Sequence, residues 1–189
     1  MTIAWSAARP PRPVTRTCSA LRWIHAHAKE YDIDTKKIFL IGQSAGGHLV
    51  SLAATLGEGP FARTGGWKDQ PHDFRAAISV AGCYELPTLD WGKLWAPPGG
   101  DVLEARKLAS PIAHVTAKAK PLLIIHADND RSVPIKQAVD MAAALEKAKA
   151  THKFLHSKDR GHMGITDYVV AESLAFIREI AGKDAAGKD

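Results

Sequence analysis

A chain of 189 residues, 46% of them hydrophobic, can bury one sizeable core, and residues 1–189 are read as a single domain. Its formal charge of +5 arises from 25 Lys and Arg spread among 20 acids, with no basic block and no interleaved aromatics, which excludes a nucleic-acid-binding face. No apolar run approaches the roughly 20 residues of a membrane span, and "MTIAWSAARPP" lacks the apolar stretch of a secretion signal, so the chain is read as cytoplasmic.

The first helical stripe is Leu21, Ile24 and Ala28, which predicts a helix from about Thr15 to Tyr31. "KIFLIG" (Lys37 to Gly42) follows as a nearly continuous apolar run, the pattern of a strand buried on both faces. Leu49, Leu52, Ala53 and Leu56 then repeat at i, i+3, i+4, i+7, with Gly57 as a C-terminal stop. "AAISVAG" (Ala76 to Gly82) and "PLLIIHAD" (Pro121 to Asp128) are further apolar strands. Ala138, Met141, Ala142 and Leu145 mark a helix, "KFLHS" (Lys153 to Ser157) a weaker strand. Val170, Leu174 and Ile177 form the last stripe, introduced by Thr166 and Asp167 as capping candidates. Strands alternating with helices predict an α/β fold: a mostly parallel sheet with helices on both faces.

Two stretches, 57–75 and 84–109, fit neither period and are read as loop insertions near an active site. Trp91 and Trp95, in the second, are either stray surface aromatics or the wall of a substrate pocket. The polar tail, 182–189, is expected to be disordered. Cys18 and Cys83 have neither metal-ligand spacing nor a disulfide framework and are read as buried thiols in a reducing compartment.

The chemistry centres on "IFLIGQSAGGH". A strand that runs into Gly42-Gln43-Ser44-Ala45-Gly46 and then into a helix is the setting of a nucleophile elbow. Small residues at 42, 45 and 46 allow a sharp bend that presents the Ser44 hydroxyl. The Ala45 amide can donate to a developing oxyanion, at the positive end of the following helix. Gln43, beside the serine, is read as a substrate-binding residue. The alternative is a Gly-rich turn in which Ser44 only caps the helix.

A serine hydroxyl needs a base, and the base needs an orienting acid. His162, in "DRGHMGI", lies between the last strand and the last helix, on a loop able to reach the strand ends. His25, His27, His48 and His126 lie within helices or a strand and are read as structural. For the acid, "HADNDRSVP" offers Asp128 and Asp130. Asp130 begins the turn leading through Pro134 and is favoured, whereas Asp128 can bond its own turn backbone. The order Ser44, Asp130, His162 is that of an α/β hydrolase.

With these segments in view, the chain resembles α/β-hydrolase-fold serine esterases of the hormone-sensitive-lipase and feruloyl-esterase-like group. "ALRWIHAHAKEYDIDTKKIFLIGQSAGGHLVSLAA", "SPIAHV", "PLLIIHADNDRSVP" and "GHMGI" are similar to that family's segments over most of residues 15–180. The resemblance implies Asp130 as acid and His162 as base. It also implies that this chain is N-terminally truncated, with 1–14 a residual strand and loop and with no match to the HisGlyGly-type loop that supplies further oxyanion amides. An exposed edge on the nucleophile strand would follow, to be covered by "TIAWS" or by a second copy in a homodimer.

The function read from these residues is hydrolysis of carboxylic esters with short acyl chains through an acyl-enzyme on Ser44. The partner is a small-molecule ester; no metal or organic cofactor is implied. Two alternatives stand beside it: a prolyl-oligopeptidase-like peptidase, and a non-catalytic hydrolase-fold binding module.

Overall fold

Among the described residues four short strands, each followed by a helical segment, carry the chain across one parallel sheet. In the computed structural model residues 12–57, 59, 63–90 and 100–186 are described. Helix α1 (Arg12–His27) precedes β1 (Phe39–Gln43), α2 (Ala45–Leu56), β2 (Ala76–Val80), α3 (Val102–Leu108), β3 (Leu122–Ala127), α4 (Lys136–Lys147), β4 (His152–Ser157) and α5 (Asp167–Ala186). The strands lie side by side in sequence order, β1-β2-β3-β4, all parallel. One row across the sheet reads Ile41, Ile78, Leu123, Lys153. Every residue of β2 and β3 is buried, as expected of inner strands with both faces covered.

Side-chain alternation divides the core in two. On one face, Leu40, Ala77, Leu122, Ile124 and Phe154 meet Leu21 of α1, Val50 and Ala54 of α2, and Met141 and Leu145 of α4. On the other, Ile78, Val80, Leu123 and Ile125 meet Val169, Phe176 and Ile180 of α5. Each such large side chain taken from water contributes about 1.5–3 kcal/mol, so the packed faces, and not helix propensity, hold the strand ends in place. Among the described residues no helix is long and apolar enough to cross a membrane.

The elements depart from the sequence expectations at their ends. α1 begins at Arg12, ahead of Thr15, because Pro13 is tolerated in a first turn. It ends at His27 instead of Tyr31: the Ile33 amide bonds back to the Ala28 carbonyl at 2.8 Å, and Asp32 takes a positive φ of 52° that no helix continues. The stretch 84–109 is not all loop, for it contains α3, whose N-cap Asp101 accepts from the amides of Leu103 and Glu104. Seven residues are too short a helix to show a clear period. α5 runs on to Ala186, through Gly182, where 182–189 was expected to be disordered; alanine and lysine sustain a helix across one glycine. Residues 187–189 lie outside the described residues.

Candidate active site

The turn after β1 is strained at one residue. Ser44 has φ 54° and ψ −116°, a conformation rare for a residue with a side chain and costing about 1–3 kcal/mol. It is held from both sides: its amide donates to the Val80 carbonyl at the end of β2 (2.8 Å), and its carbonyl accepts from the His48 amide in α2 (3.0 Å). The Ser44 side chain makes no capping hydrogen bond, so the reading of a mere N-cap does not describe it.

Two glycines permit the bend. A Cβ on Gly42 would stand 2.2 Å from the Gly46 carbonyl oxygen. A Cβ on Gly47 would stand 2.9 Å from the Gly82 Cα, where α2 presses on the end of β2. Gly46 has nothing within 4 Å of the same point. The sequence reading placed the steric demand at 42, 45 and 46; the structure moves part of it to Gly47, because the close approach is between α2 and β2 and not within the turn alone. Ala45, exposed at the first position of α2, has an amide for which helix geometry supplies no acceptor.

Asp130 and His162 meet. His162 Nδ1 donates to Asp130 Oδ2 at 2.8 Å, with the carboxylate side chain wholly inaccessible and the imidazole 28% exposed. The acid is therefore shielded while the base remains open to a substrate. Asp130 Oδ1 accepts from the amides of Ser132 (2.8 Å) and Val133 (2.9 Å). Burial pushes this carboxyl upward, but the Val133 amide, His162 and the Ser132 amide outweigh it and hold it below the usual carboxylate value. Asp128 is placed elsewhere: half exposed, it pairs with His156 Nε2.

Gln43 departs from its expected role. Its Nε2 donates to the Met163 carbonyl at 3.0 Å, so the side chain is engaged by the loop that bears His162 rather than left free for substrate. Trp91 and Trp95 lie outside the described residues. His48 and His126, read from the sequence as structural, are buried; His48 Nε2 donates to the Ala109 carbonyl and His126 Nε2 to the Val133 carbonyl, both at 2.8 Å. Burial lowers the pKa of each and keeps it neutral. Sequence reasoning missed Asn129, whose Oδ1 accepts from the Gly161 amide at 2.7 Å. An Asn beside a candidate acid in a turn was the available signal. Among the described residues no group of three or more His, Cys, Asp or Glu side chains is arranged to hold a metal ion.

Known proteins resemble this chain in sequence and in fold. The chain is 34% identical over 131 residues to the probable carboxylic ester hydrolase LipM of Mycobacterium tuberculosis, across 63% of this chain and 30% of that protein. It is 29% identical over 150 residues to the esterase LipQ of the same organism, across 74% of this chain and 35% of that protein. It thus spans about a third of the length of the curated relatives it matches. Among solved structures, a truncated form of a carbohydrate esterase from gut microbiota superposes with a TM-score of 0.79 at 24% identity, over 95% of this chain and 72% of that one. Thermogutta terrifontis esterase 2, phosphoramylated by tabun, superposes at 0.73 with 26% identity, over 88% of this chain and 64% of that one. The BD-FAE family model matches residues 4–145, three quarters of the chain with its nucleophile elbow and acid loop, and on that match, with the parallel sheet and its helices, the chain belongs to the BD-FAE family of α/β-hydrolase-fold proteins.

Proposed function

We infer that this chain carries the nucleophile, acid and base of a carboxylic ester hydrolase, with short-chain esters as substrates. The observation that carries the reading is the 2.8 Å bond from His162 to a shielded Asp130, on a loop tied to the residue next to the strained Ser44. The likeness to LipM, LipQ and esterase 2, each an esterase by name, supports ester hydrolysis as the reaction.

In this mechanism Asp130 holds His162 in the tautomer with its proton on Nδ1, which leaves Nε2 free to accept. Ser44 Oγ attacks the acyl carbon as its proton passes to Nε2. The carbonyl π pair moves onto oxygen, where the Ala45 amide and the N-terminal end of α2 stabilise the negative charge. Collapse of the tetrahedral intermediate expels the alcohol, which takes the proton from Nε2, and leaves an acyl group on Ser44. Water, deprotonated by His162, repeats the sequence and releases the acid. The imidazolium formed in each half stands beside an ionised carboxylate, and for that role a lowered acid pKa is suited.

Two finer readings accompany this one. Cys18 and Cys83, neither of them in a disulfide among the described residues, support a reducing compartment such as the cytoplasm. The outer edge of β1 supports a homodimer. Ile38 oxygen and Ser44 nitrogen both face β2, so by alternation the amides of Phe39 and Ile41 face outward, and Ile41 is 50% exposed.

Turnover of p-nitrophenyl acetate by the wild type and by Ser44→Ala tests the esterase reading. A loss of roughly 1,000-fold or more is expected. Equal rates would overturn it and favour a binding module.

A further inference from the structure

Three consecutive residues in the loop between β4 and α5 are each tied to a different point of the sheet's end. The Gly161 amide donates to Asn129 Oδ1 (2.7 Å), His162 Nδ1 to Asp130 Oδ2 (2.8 Å), and the Met163 carbonyl accepts from Gln43 Nε2 (3.0 Å). Residues 158–166 form no helix or strand, and Gly161 has a φ of +55°, so the backbone of this loop is not placed by a ladder of its own. Its position depends on those ties, on Met163, which is buried against the α5 face of the core, and on Arg160, whose guanidinium lies 4.7 Å over the Tyr168 ring of α5.

The Asp130 bond fixes one nitrogen of the imidazole. The other nitrogen can still swing about that bond as the loop shifts, and its distance to the nucleophile is set by where the loop sits relative to β1. One side chain spans that gap. Gln43 is joined by its peptide bond to Ser44, and its amide grips the residue after His162. We propose that Gln43 is a positioning residue that sets the separation of nucleophile and base, with Asn129 holding the same loop from the β3 side. The proposal rests on the esterase reading for its kinetic consequence, though not for its structural one.

The chemistry predicts a specific signature. A base held loosely deprotonates Ser44 less effectively for every ester, but returning the proton matters only when the leaving alcohol is a poor one. p-Nitrophenolate departs unprotonated, whereas ethoxide needs the general acid. Loss of the Gln43 tie therefore changes the ratio of two substrates, while a simple loss of folded protein lowers both equally.

The test is kcat/KM for p-nitrophenyl acetate and for ethyl acetate, with Gln43→Met, which keeps the length and removes the donor. We expect losses in kcat/KM of roughly 10-fold and roughly 100-fold respectively, the larger being the size seen for about 1 Å of misplacement, because kcat/KM reports acylation, the step in which the two leaving groups differ. Asn129→Ala, an exposed change that does not threaten folding, shows a smaller shift of the same ratio, and Asn129→Asp, which keeps the acceptor, restores it. Equal losses for both esters, or no loss, would overturn the proposal. Hydrogen exchange of the Gly161 amide, which is protected by its bond to Asn129 Oδ1, gives a readout independent of turnover and accelerates in Gln43→Met as the loop loosens. If the wild type hydrolyses neither ester yet exchange accelerates in the variant, the esterase reading fails and the pinning stands. Unchanged exchange removes the pinning itself.

Discussion

Asp130 Oδ2 lies 3.4 Å from Nε2 of His126, a histidine with no exposed surface, as well as 2.8 Å from Nδ1 of His162. The candidate acid thus sits between one imidazole open to solvent and another sealed in the core. His126 Nε2 must donate to the Val133 carbonyl, and its Nδ1 is buried without a partner, so the ring is neutral and a second proton would be a buried charge.

That burial makes stability depend on pH in a definite direction. His126 and His48 have folded pKa values below the ordinary 6.5, chiefly through desolvation. Above about pH 6.5 both folded and unfolded states are neutral and nothing is lost. As pH falls from there towards the folded pKa, the unfolded chain binds protons that the folded chain excludes, and stability falls. Asp130, with a folded pKa below 3.8, adds a second loss only as pH falls from about 4 through its folded value. Thermal unfolding should show a Tm lower at about pH 5 than at about pH 7.5. The slope should weaken in His48→Gln, whose amide does not titrate and can donate to Ala109. A Tm independent of pH over this range would contradict the assignment.

Exchange of the two aspartates separates acid from bystander. Asp130→Asn keeps the shape but removes the charge that supports an imidazolium, and it should lower kcat by up to roughly 10⁴-fold. Asp128→Asn touches only a half-exposed pair with His156 and should stay within about threefold, as surface ion pairs contribute little. A larger loss at Asp128 would reverse the assignment. Steady-state kinetics on p-nitrophenyl acetate decides it.

The elbow glycines differ in what they tolerate. Gly42→Ala puts a methyl against backbone and should cost about 3 kcal/mol, or prevent folding. Gly47→Ala presses on the Gly82 Cα at 2.9 Å and the Val80 carbonyl at 3.0 Å, less closely than the 2.2 Å at Gly42, and should destabilise less, by about 1–3 kcal/mol. Gly46→Ala meets open space and should fold with a Tm near that of the wild type. Circular-dichroism melts of the three variants would rank them; a Gly46 variant as unstable as the Gly42 variant would refute the steric account.

Among the described residues no strand pairs on the outer edge of β1, and "TIAWS", the other expected cover, lies outside them. If a second copy covers that edge, the Phe39 and Ile41 amides should exchange slowly and sedimentation should show a dimer. Ile41→Lys, which places a charge on the half-exposed edge residue, should then dissociate it. A monodisperse monomer with fast exchange at both amides would exclude any cover on that edge.

Local pattern carried much of this protein. Apolar runs long enough for one strand each placed β1, β2 and β3 to within a residue or two, and the turn between Gly42 and Gly46 announced a bend with a serine at its apex. Those features are visible because strand burial and turn sterics act over a few neighbouring residues. Asp130 and His162 were legible as loop residues after strands, although they are far apart in the chain, because the fold class dictates which strand ends converge.

What the sequence could not determine depends on contacts between segments distant in the chain. That Gly47, and not Gly46, is sterically required follows from α2 pressing on Gly82, and no turn pattern contains that contact. That Gln43 faces the histidine loop depends on a chain separation of 120 positions folding back to bring the Met163 carbonyl within 3.0 Å. Asn129 and the pairing of Asp128 with His156 are the same kind of fact. Local sterics and hydrophobic periodicity are written in consecutive residues, whereas the partner of a polar side chain is chosen only when the packed sheet brings its strand ends together.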